Sequence, residues 1–222
     1  MGVLFVANRK GLEDYRDVLS LQERLISRKF EERTTKDVLL LLEHDHVYTA
    51  GRGTGFERVI DADKAGVRWF EVSRGGGVTY HGPGQLVAYP LIDLERQGKD
   101  VHVFLRKLEA ASIACLASFG IRGLTRPGLT GVWVDVSADP HVPRWRKIVS
   151  IGIGVRHWIS WHGLALNVST NLDYFRAIHP CGQDGEVMTS MQRLLGQAPQ
   201  MSDVRNVLAE AIKQEFGYAA LR

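Results

Sequence analysis

The segment 148–155 constrains the fold more than any other part of the chain, because its two faces differ so much in size. Four large apolar residues alternate with three small ones: Val149, Ile151, Ile153 and Val155 with Ser150, Gly152 and Gly154. A period of two predicts a β-strand with one face in a core. The other face is nearly bare backbone, which is typical of close approach by a ligand or another chain.

Strands and helices are mixed along the rest of the chain. Apolar runs predict further strands at 3–6, 38–42, 67–72, 85–91, 131–136 and 158–169. Helical spacing of apolar residues predicts helices at 15–30, 101–119 and 203–216. Asp100 and Ser202 are suited to cap the second and third helices, and Gly120 to end the second. We expect an α+β (mixed α/β) fold in which helices pack on the face of one mixed sheet.

Composition narrows the class of protein. The chain has 222 residues, of which 45% are hydrophobic and 24% charged, as in an ordinary globular protein. We expect a single domain over residues 1–222. The formal net charge of +3 is too small to predict a nucleic-acid partner.

Two cysteines in the whole chain argue against a disulfide scaffold and for a reducing compartment. No window is long and apolar enough for a membrane span, and the first residues do not resemble a secretory signal. We therefore expect a cytoplasmic monomer without membrane contact. His44 and His46 are two residues apart, but no third ligand follows nearby, so no metal is expected.

A glycine-rich segment, residues 74–85, is the densest candidate for a site. Five of the eleven residues 74–84 are glycine, and such a loop can offer backbone N–H groups to a ligand carbonyl or phosphate. It matches neither a Walker loop nor a dinucleotide-binding fingerprint. A glycine-rich connection without a ligand remains the alternative.

The two cysteines differ in their setting. Cys115 lies on the apolar stripe of the second helix, which predicts a buried core thiol. Cys181 lies between Pro180 and Gly182 in a segment without hydrophobic periodicity, so it is either a nucleophile or an unreactive thiol. A nucleophilic cysteine needs a base, and the candidates are His81, His162, His179 and Lys147.

Several segments together resemble the lipoyl(octanoyl) transferase family. Residues 74–90, Arg-Gly-Gly-Gly-Val-Thr-Tyr-His-Gly-Pro-Gly-Gln-Leu-Val-Ala-Tyr-Pro, are similar to the signature of that family. Segments 42–51, 126–133, 147–152, 162–168 and 180–182 also match in order, so the resemblance spans residues from about 40 to about 190. One departure is His179, which stands where the family commonly has asparagine.

The resemblance implies a fold, a reaction and a site. The fold is that of biotin and lipoate protein ligase catalytic domains. The reaction moves an octanoyl group from octanoyl-acyl carrier protein to a lysine of lipoyl domains, in the E2 subunits of 2-oxoacid dehydrogenases, or of the glycine-cleavage H protein. Cys181 would form the acyl thioester and Lys147 would be its acid/base partner. The implied substrate-binding residues are Arg74, Gly75, Gly76, Gly77, Val78, Thr79, Tyr80, His81, Ser150, Ile151, Gly152, His162, Gly163, Leu164 and Ala165.

The chemistry of that reaction agrees with what the residues offer. A thioester donor is already activated, so no ATP and no cofactor are needed, and no phosphate-binding motif is visible. The bare strand face at Ser150, Gly152 and Gly154 leaves room for an alkyl chain. The basic run at 144–147 suits an acidic carrier protein. Two alternatives stay open: an ATP-dependent lipoate or biotin ligase, which would not need Cys181, and a non-catalytic acyl or carrier-protein binding module.

Overall fold

A computed structural model of the protein describes residues 2–53, 66–139, 141–178 and 187–219. The strands are β1 (Val3–Glu13), β2 (Lys36–His44), β3 (Val47–Ala50), β4 (Arg68–Glu71), β5 (Val78–His81), β6 (Gln85–Leu91), β7 (Leu124–Arg126), β8 (Leu129–Asp135), β9 (Trp145–Arg156) and β10 (Ile159–Asn167). The α-helices are α1 (Tyr15–Glu31), α2 (Val101–Ala117), α3 (Met191–Leu195) and α4 (Met201–Glu215), with 3₁₀ turns at Leu94–Gln97 and Leu172–Ala177.

The strands form two sheets. The larger has seven strands in the order β1-β2-β6-β10-β9-β8-β7, and the smaller has the order β4-β3-β5. β1 and β2 are parallel, as are β3 and β4, whereas the other neighbours are antiparallel. The mixed α+β class is confirmed. The expectation of one sheet is wrong, because β3 pairs with β4 and β5 in a separate sheet, and part of the glycine-rich segment is strand β5.

The helix ends follow local chemistry in two of three cases. Asp100 caps α2 by accepting hydrogen bonds from the backbone N–H groups of His102 and Val103. Gly120, with φ of 76°, ends it as predicted, since the Ile121 N–H reaches the Leu116 carbonyl. Ser202 is not a cap: α4 already begins at Met201, and Gln200 precedes it.

The two faces of the larger sheet are covered differently. On one face, α2 and α4 pack against each other and against the sheet in the main apolar core, which includes the large residues of β9 as predicted. On the other face, α1 packs over β6 and β10. Cys115 is fully buried in the main core, where burial raises the pKa of its thiol to about 12. The prediction of a buried core thiol is confirmed.

In the described part of the chain, no helix is long and apolar enough to cross a membrane.

Candidate active site

A cavity of about 50 Å³ lies against β9 and β10 on the side away from α2 and α4. It draws its walls from four separate parts of the chain: α1, the glycine-rich segment, β6, and the paired strands β9 and β10. Its lining consists of Tyr15, Arg74, Gly76, Gly77, Val78, Thr79, His81, Tyr89, Lys147, Ser150, Ile151, Gly152, His162, Gly163, Leu164 and Ala165.

A β-bulge turns Lys147 into this cavity. Val132 of β8 pairs with Val149 of β9, but the next residue, Trp133, pairs with Lys147. Ile148 is therefore an extra residue on β9, and the alternation of faces changes there. Without the bulge, Lys147 would share the core-facing side of Val149. With it, Lys147 shares the face of Ser150 and Gly152 and lines the cavity.

Lys147 is almost completely buried, with 4% of its surface exposed. Its Nζ lies 5.3 Å from the centre of the Trp133 ring, a cation–π distance. Gly131, with φ of 117°, lies against the end of the lysine side chain: a Cβ there would come within 2.7 Å of Lys147 Cε. The cross-strand neighbours therefore fix the direction of the amine.

The bare face of β9 is only partly open. Ser150 and Gly152 line the cavity as expected, and Gly152 is small because Gly75 O would lie 2.8 Å from a Cβ at that position. Gly154 is different. The indole of Trp161 would lie 2.2 Å from a Cβ at Gly154, so the expectation that Gly154 leaves room for a ligand is wrong: Trp161 already fills that space.

Arg74 organises the glycine-rich segment from inside. Its guanidinium donates hydrogen bonds to the carbonyls of Thr49, Gly75 and Gly77 and to the Thr49 hydroxyl, at 2.7–3.1 Å. The Gly75 N–H donates to Ile153 O at 2.8 Å, which ties the segment across β9. The N–H of Gly75 is therefore used within the protein, whereas Gly76 and Gly77 lie at the cavity wall.

Two of the predicted substrate-binding residues do not line the cavity. Gly75 makes the contact with β9 just described. Tyr80 is fully buried on the opposite side of β5, where its hydroxyl contacts His46 Nδ1 at 2.6 Å. The alternation of β5 explains this difference, because Thr79 and His81 point to the cavity while Tyr80 points away.

Tyr15 and Tyr89 line the cavity and were missed by the sequence analysis, which placed them on an apolar helix face and in a buried strand. The Tyr15 ring stacks on His81, with ring centres 6.1 Å apart. Tyr89 contacts His44 Nε2 through its hydroxyl at 2.8 Å. An aromatic residue with a polar tip is a weak signal in sequence, because the same residue type is common in plain cores.

The histidines of the cavity are uncharged at neutral pH. Burial lowers the pKa of His81 and of His162 to about 3, and that of nearby His44 to about 4. Imidazoles with such low pKa values accept a proton from a thiol poorly. Of the four candidate bases, His81 and His162 are thereby disfavoured, and His179 lies outside the described residues.

His162 also has an unusual backbone. Its φ of 55° is in the left-handed region, and its N–H donates to Gln22 Oε1 at 2.8 Å. The Nε2 of His162 and the hydroxyl of Thr79 are both buried at the cavity and make no hydrogen bond to the described residues. A buried polar atom without a partner is costly, so these two atoms suit a polar group of a ligand or a bound water.

A chain of buried hydrogen bonds runs from the cavity to the strand that carries Lys147. His81 Nδ1 contacts Gln85 Oε1 at 2.8 Å, and Gln85 Nε2 donates to Asn167 Oδ1 at 3.0 Å. Asn167 Nδ2 donates to the Thr189 carbonyl at 3.0 Å, and the Thr189 N–H donates to the Lys147 carbonyl at 2.9 Å. The chain links the glycine-rich segment, β10 and β9 into one unit.

Cys181 and His179 lie outside the described residues, so the role of Cys181 stays a prediction. Within the described ranges, no group of three or more histidine, cysteine, aspartate or glutamate side chains could hold a metal ion. His44 contacts the Glu13 carbonyl and the Tyr89 hydroxyl with its two ring nitrogens.

Comparisons with known proteins identify the family of this chain. Residues 14–213 match the family described as Lipoyl protein ligase A/B catalytic domain. The chain is 44% identical to an octanoyltransferase of Geobacter metallireducens over 199 residues, which cover 90% of this chain and 87% of that protein. It is 42% identical to an octanoyltransferase of Pelobacter propionicus over 204 residues, covering 92% and 91%.

Solved structures show the same fold at lower identity. Lipoate-protein ligase A bound with ATP superposes with a TM-score of 0.70 at 19% identity, over all of this chain and 87% of that one. Biotin protein ligase from Aquifex aeolicus superposes with a TM-score of 0.51 at 11% identity, over 98% of this chain and 70% of that one.

The mixed sheet with its second small sheet therefore has the fold of the protein ligases that handle lipoate and biotin, as the sequence predicted. Within that class, the chain belongs to the lipoyl protein ligase A/B catalytic-domain family.

Proposed function

We propose that this protein transfers an octanoyl group from octanoyl-acyl carrier protein to a specific lysine of lipoyl domains or of the glycine-cleavage H protein, through a thioester on Cys181. The supporting observation is the setting of Lys147. It is a buried lysine turned by a β-bulge into a cavity with glycine backbone in its walls, in a chain that is 44% identical to an octanoyltransferase.

The reaction has two acyl transfers. In the first, the Cys181 thiolate attacks the thioester carbonyl of the donor, a new C–S bond forms, and the carrier thiol leaves with a proton. In the second, the amine of the acceptor lysine attacks the acyl-cysteine, an amide forms, and the Cys181 thiol is restored. The first step exchanges one thioester for another, and the second is downhill because an amide is more stable than a thioester.

Lys147 is the proposed proton carrier for both transfers. It would take the proton of the Cys181 thiol, give it to the leaving carrier thiol, and then accept a proton from the incoming amine. The burial of Lys147 and its place in the cavity lining support this assignment. The low pKa values of His81 and His162 support it as well, since neither imidazole is a competent base near neutral pH.

The surface of β9 and β10 forms the floor of the cavity, and this floor suits the acyl chain. Ser150 and Gly152 leave the surface of β9 low, and Leu164 and Ala165 of β10 continue it with apolar atoms. The glycine-rich segment covers this floor through the bond between Gly75 N and Ile153 O. A floor and a roof made largely of backbone and small side chains fit a slender alkyl chain.

An ATP-dependent ligase is the second candidate, because the family and its solved structures include lipoate-protein ligase A bound with ATP. The 44% identity to an octanoyltransferase, against 19% to that ligase, favours transfer from a thioester. A non-catalytic binding module would leave Cys181 unreactive toward thioesters.

Intact-mass spectrometry tests the proposal. The protein is mixed with octanoyl-acyl carrier protein without ATP, then with a lipoyl domain. We expect one octanoyl group on a Cys181 peptide, and its transfer to one lysine of the lipoyl domain. The Cys115→Ala variant is the matched control and should acylate normally. Failure of Cys181 to acylate, or efficient use of free octanoate with ATP, would overturn the proposal.

A further inference from the structure

A buried carboxylate of helix α2, on the opposite face of the sheet from the cavity, contacts the strand that lies against Lys147. Glu109 projects from α2 and is 1% exposed. Its Oε1 accepts a hydrogen bond from the Gly131 N–H at 2.9 Å, and its other oxygen pairs with Arg106 on the same helix. A buried carboxylate therefore holds a backbone N–H of β8.

Gly131 is the point at which this contact reaches Lys147. Its φ of 117° is accessible to glycine and strained for other residues. A Cβ at Gly131 would lie 2.4 Å from Val149 O, 2.7 Å from Lys147 Cε and 3.3 Å from Lys147 Nζ. The backbone of Gly131 thus forms the surface on which the end of the lysine rests. A small shift of Gly131 would move the amine or be blocked by it.

The cost of burying Glu109 suggests that its contact has a specific use. Desolvating a carboxylate is costly even when it is paired, and Arg106, its ionic partner, is largely exposed. A single strand N–H could be satisfied by a neutral side chain or by water at lower cost. The contact lies beside the bulge at Ile148, where the regular ladder between β8 and β9 is interrupted.

We infer that Glu109 is a positioning residue for Lys147: by holding the Gly131 N–H, it fixes the backbone against which the lysine amine is aimed into the cavity. The inference rests on the proposed function for its readout, because it concerns how Lys147 serves acylation of Cys181. Glu109 is not among the residues that line the cavity, and it acts through Gly131.

Three substitutions of Glu109 distinguish the effect of the position of its acceptor oxygen from the effect of its charge. Glu109→Gln keeps the length and an acceptor oxygen for Gly131, Glu109→Asp keeps the charge but draws it back by one methylene, and Glu109→Ala removes both. We expect Ala and Asp to lower the rate of Cys181 acylation at saturating octanoyl-acyl carrier protein by about tenfold or more, since displacements of about 1 Å carry such costs. Glutamine should retain the rate within about threefold, and KM should change little in all three.

A double-mutant cycle shows whether the effect passes through Lys147. In a Lys147→Ala background, Glu109→Asp should cause no further loss beyond about twofold, because the group that it positions is gone. An equal loss in both backgrounds, or an unchanged rate for Glu109→Asp alone, would overturn the inference. Glu109→Gln is the variant to rely on if Ala or Asp fails to fold: a loss by Gln as large as that of Lys147→Ala would also contradict a positional role.

The same cycle distinguishes this inference from the proposed function. If Lys147→Ala alone acylates Cys181 at the normal rate, the proposed role of Lys147 fails. If Lys147→Ala is impaired and Glu109→Asp is not, only the role of Glu109 fails.

Discussion

The side of the seven-stranded sheet that faces α2 and α4 is packed with apolar side chains, whereas the side that faces α1 and the small sheet holds buried histidines, tyrosines, Arg74 and Lys147 around a cavity. Both sides are formed by the same strands. On β9, residues one position apart serve the two purposes: Ile153 packs in the core while Gly152 lines the cavity. The apolar side stabilises the fold without burying many polar groups. On the cavity side, the buried polar groups cost free energy of folding, but they are the groups that can bind a ligand.

The largest expected effect on the cavity side comes from the proposed nucleophile. Cys181→Ala should abolish both acyl-enzyme formation and turnover, because the remaining thiol, Cys115, is fully buried in the core and out of reach of the donor. Intact-mass spectrometry measures acyl-enzyme formation, and a single-turnover assay with a lipoyl domain measures the transfer. Full transfer by this variant would remove the covalent mechanism.

Lys147→Arg should have the next largest effect. Arginine keeps the positive charge but cannot lose its proton at physiological pH, so we expect acylation of Cys181 to slow by about a hundredfold or more, as for loss of a general acid/base. The free energy of unfolding, measured by urea titration, shows whether the longer side chain disturbs the fold. Near-normal acylation between about pH 6 and pH 8, on either side of neutrality, would replace the base role by an electrostatic one.

Acid should destabilise the protein through the cavity side. Below about pH 6.5 the unfolded chain protonates His44, His81 and His162, whereas the folded protein does so only near pH 3–4. The unfolded state therefore binds more protons, and the free energy of unfolding falls with falling pH across that window, by about 1.4 kcal/mol per pH unit for each such histidine.

Urea midpoints from pH 7 to pH 5.5 (roughly the upper part of that window) test this expectation. His162→Gln should reduce the slope by the contribution of one proton, because glutamine does not titrate. Cys115→Ala, on the apolar side, should leave the slope as it is. A flat profile would mean that the buried histidines open to solvent more readily than the structure suggests.

The smallest effect belongs to the apolar side. Cys115→Ala should lower the free energy of unfolding by about 1 kcal/mol, because removing the sulfur leaves a small cavity in the core, and acylation should be unchanged. Thermal or urea unfolding together with the mass assay measures both. A loss of activity in this variant would contradict the separation of the two faces.

Features that depend on residues close together in the sequence could be predicted. The alternation in β9, the Asp100 cap and the Gly120 end of α2 could be predicted because they depend on neighbours within a few residues. The glycine-rich segment could be identified as a site for the same reason: its composition is visible in one short stretch. Tyr80 and Gly154 were misjudged because strand alternation and the indole of Trp161, rather than residue type, decide what faces the cavity.

The sequence by itself determined most elements of this fold, the buried setting of Cys115 and the residues that the resemblance to a family singled out. It did not predict the short strands β3, β5 and β7 or the short helix α3. Only the tertiary structure decided where Lys147 points. The extra residue Ile148 moves Lys147 to the other face of β9, and this bulge exists only in the pairing of β9 with β8. The tertiary structure also decided that Tyr15 and Tyr89 meet the cavity, and that Glu109 holds Gly131 from the opposite face of the sheet. These features depend on contacts between segments far apart in the chain, and no local pattern encodes which distant partners will meet.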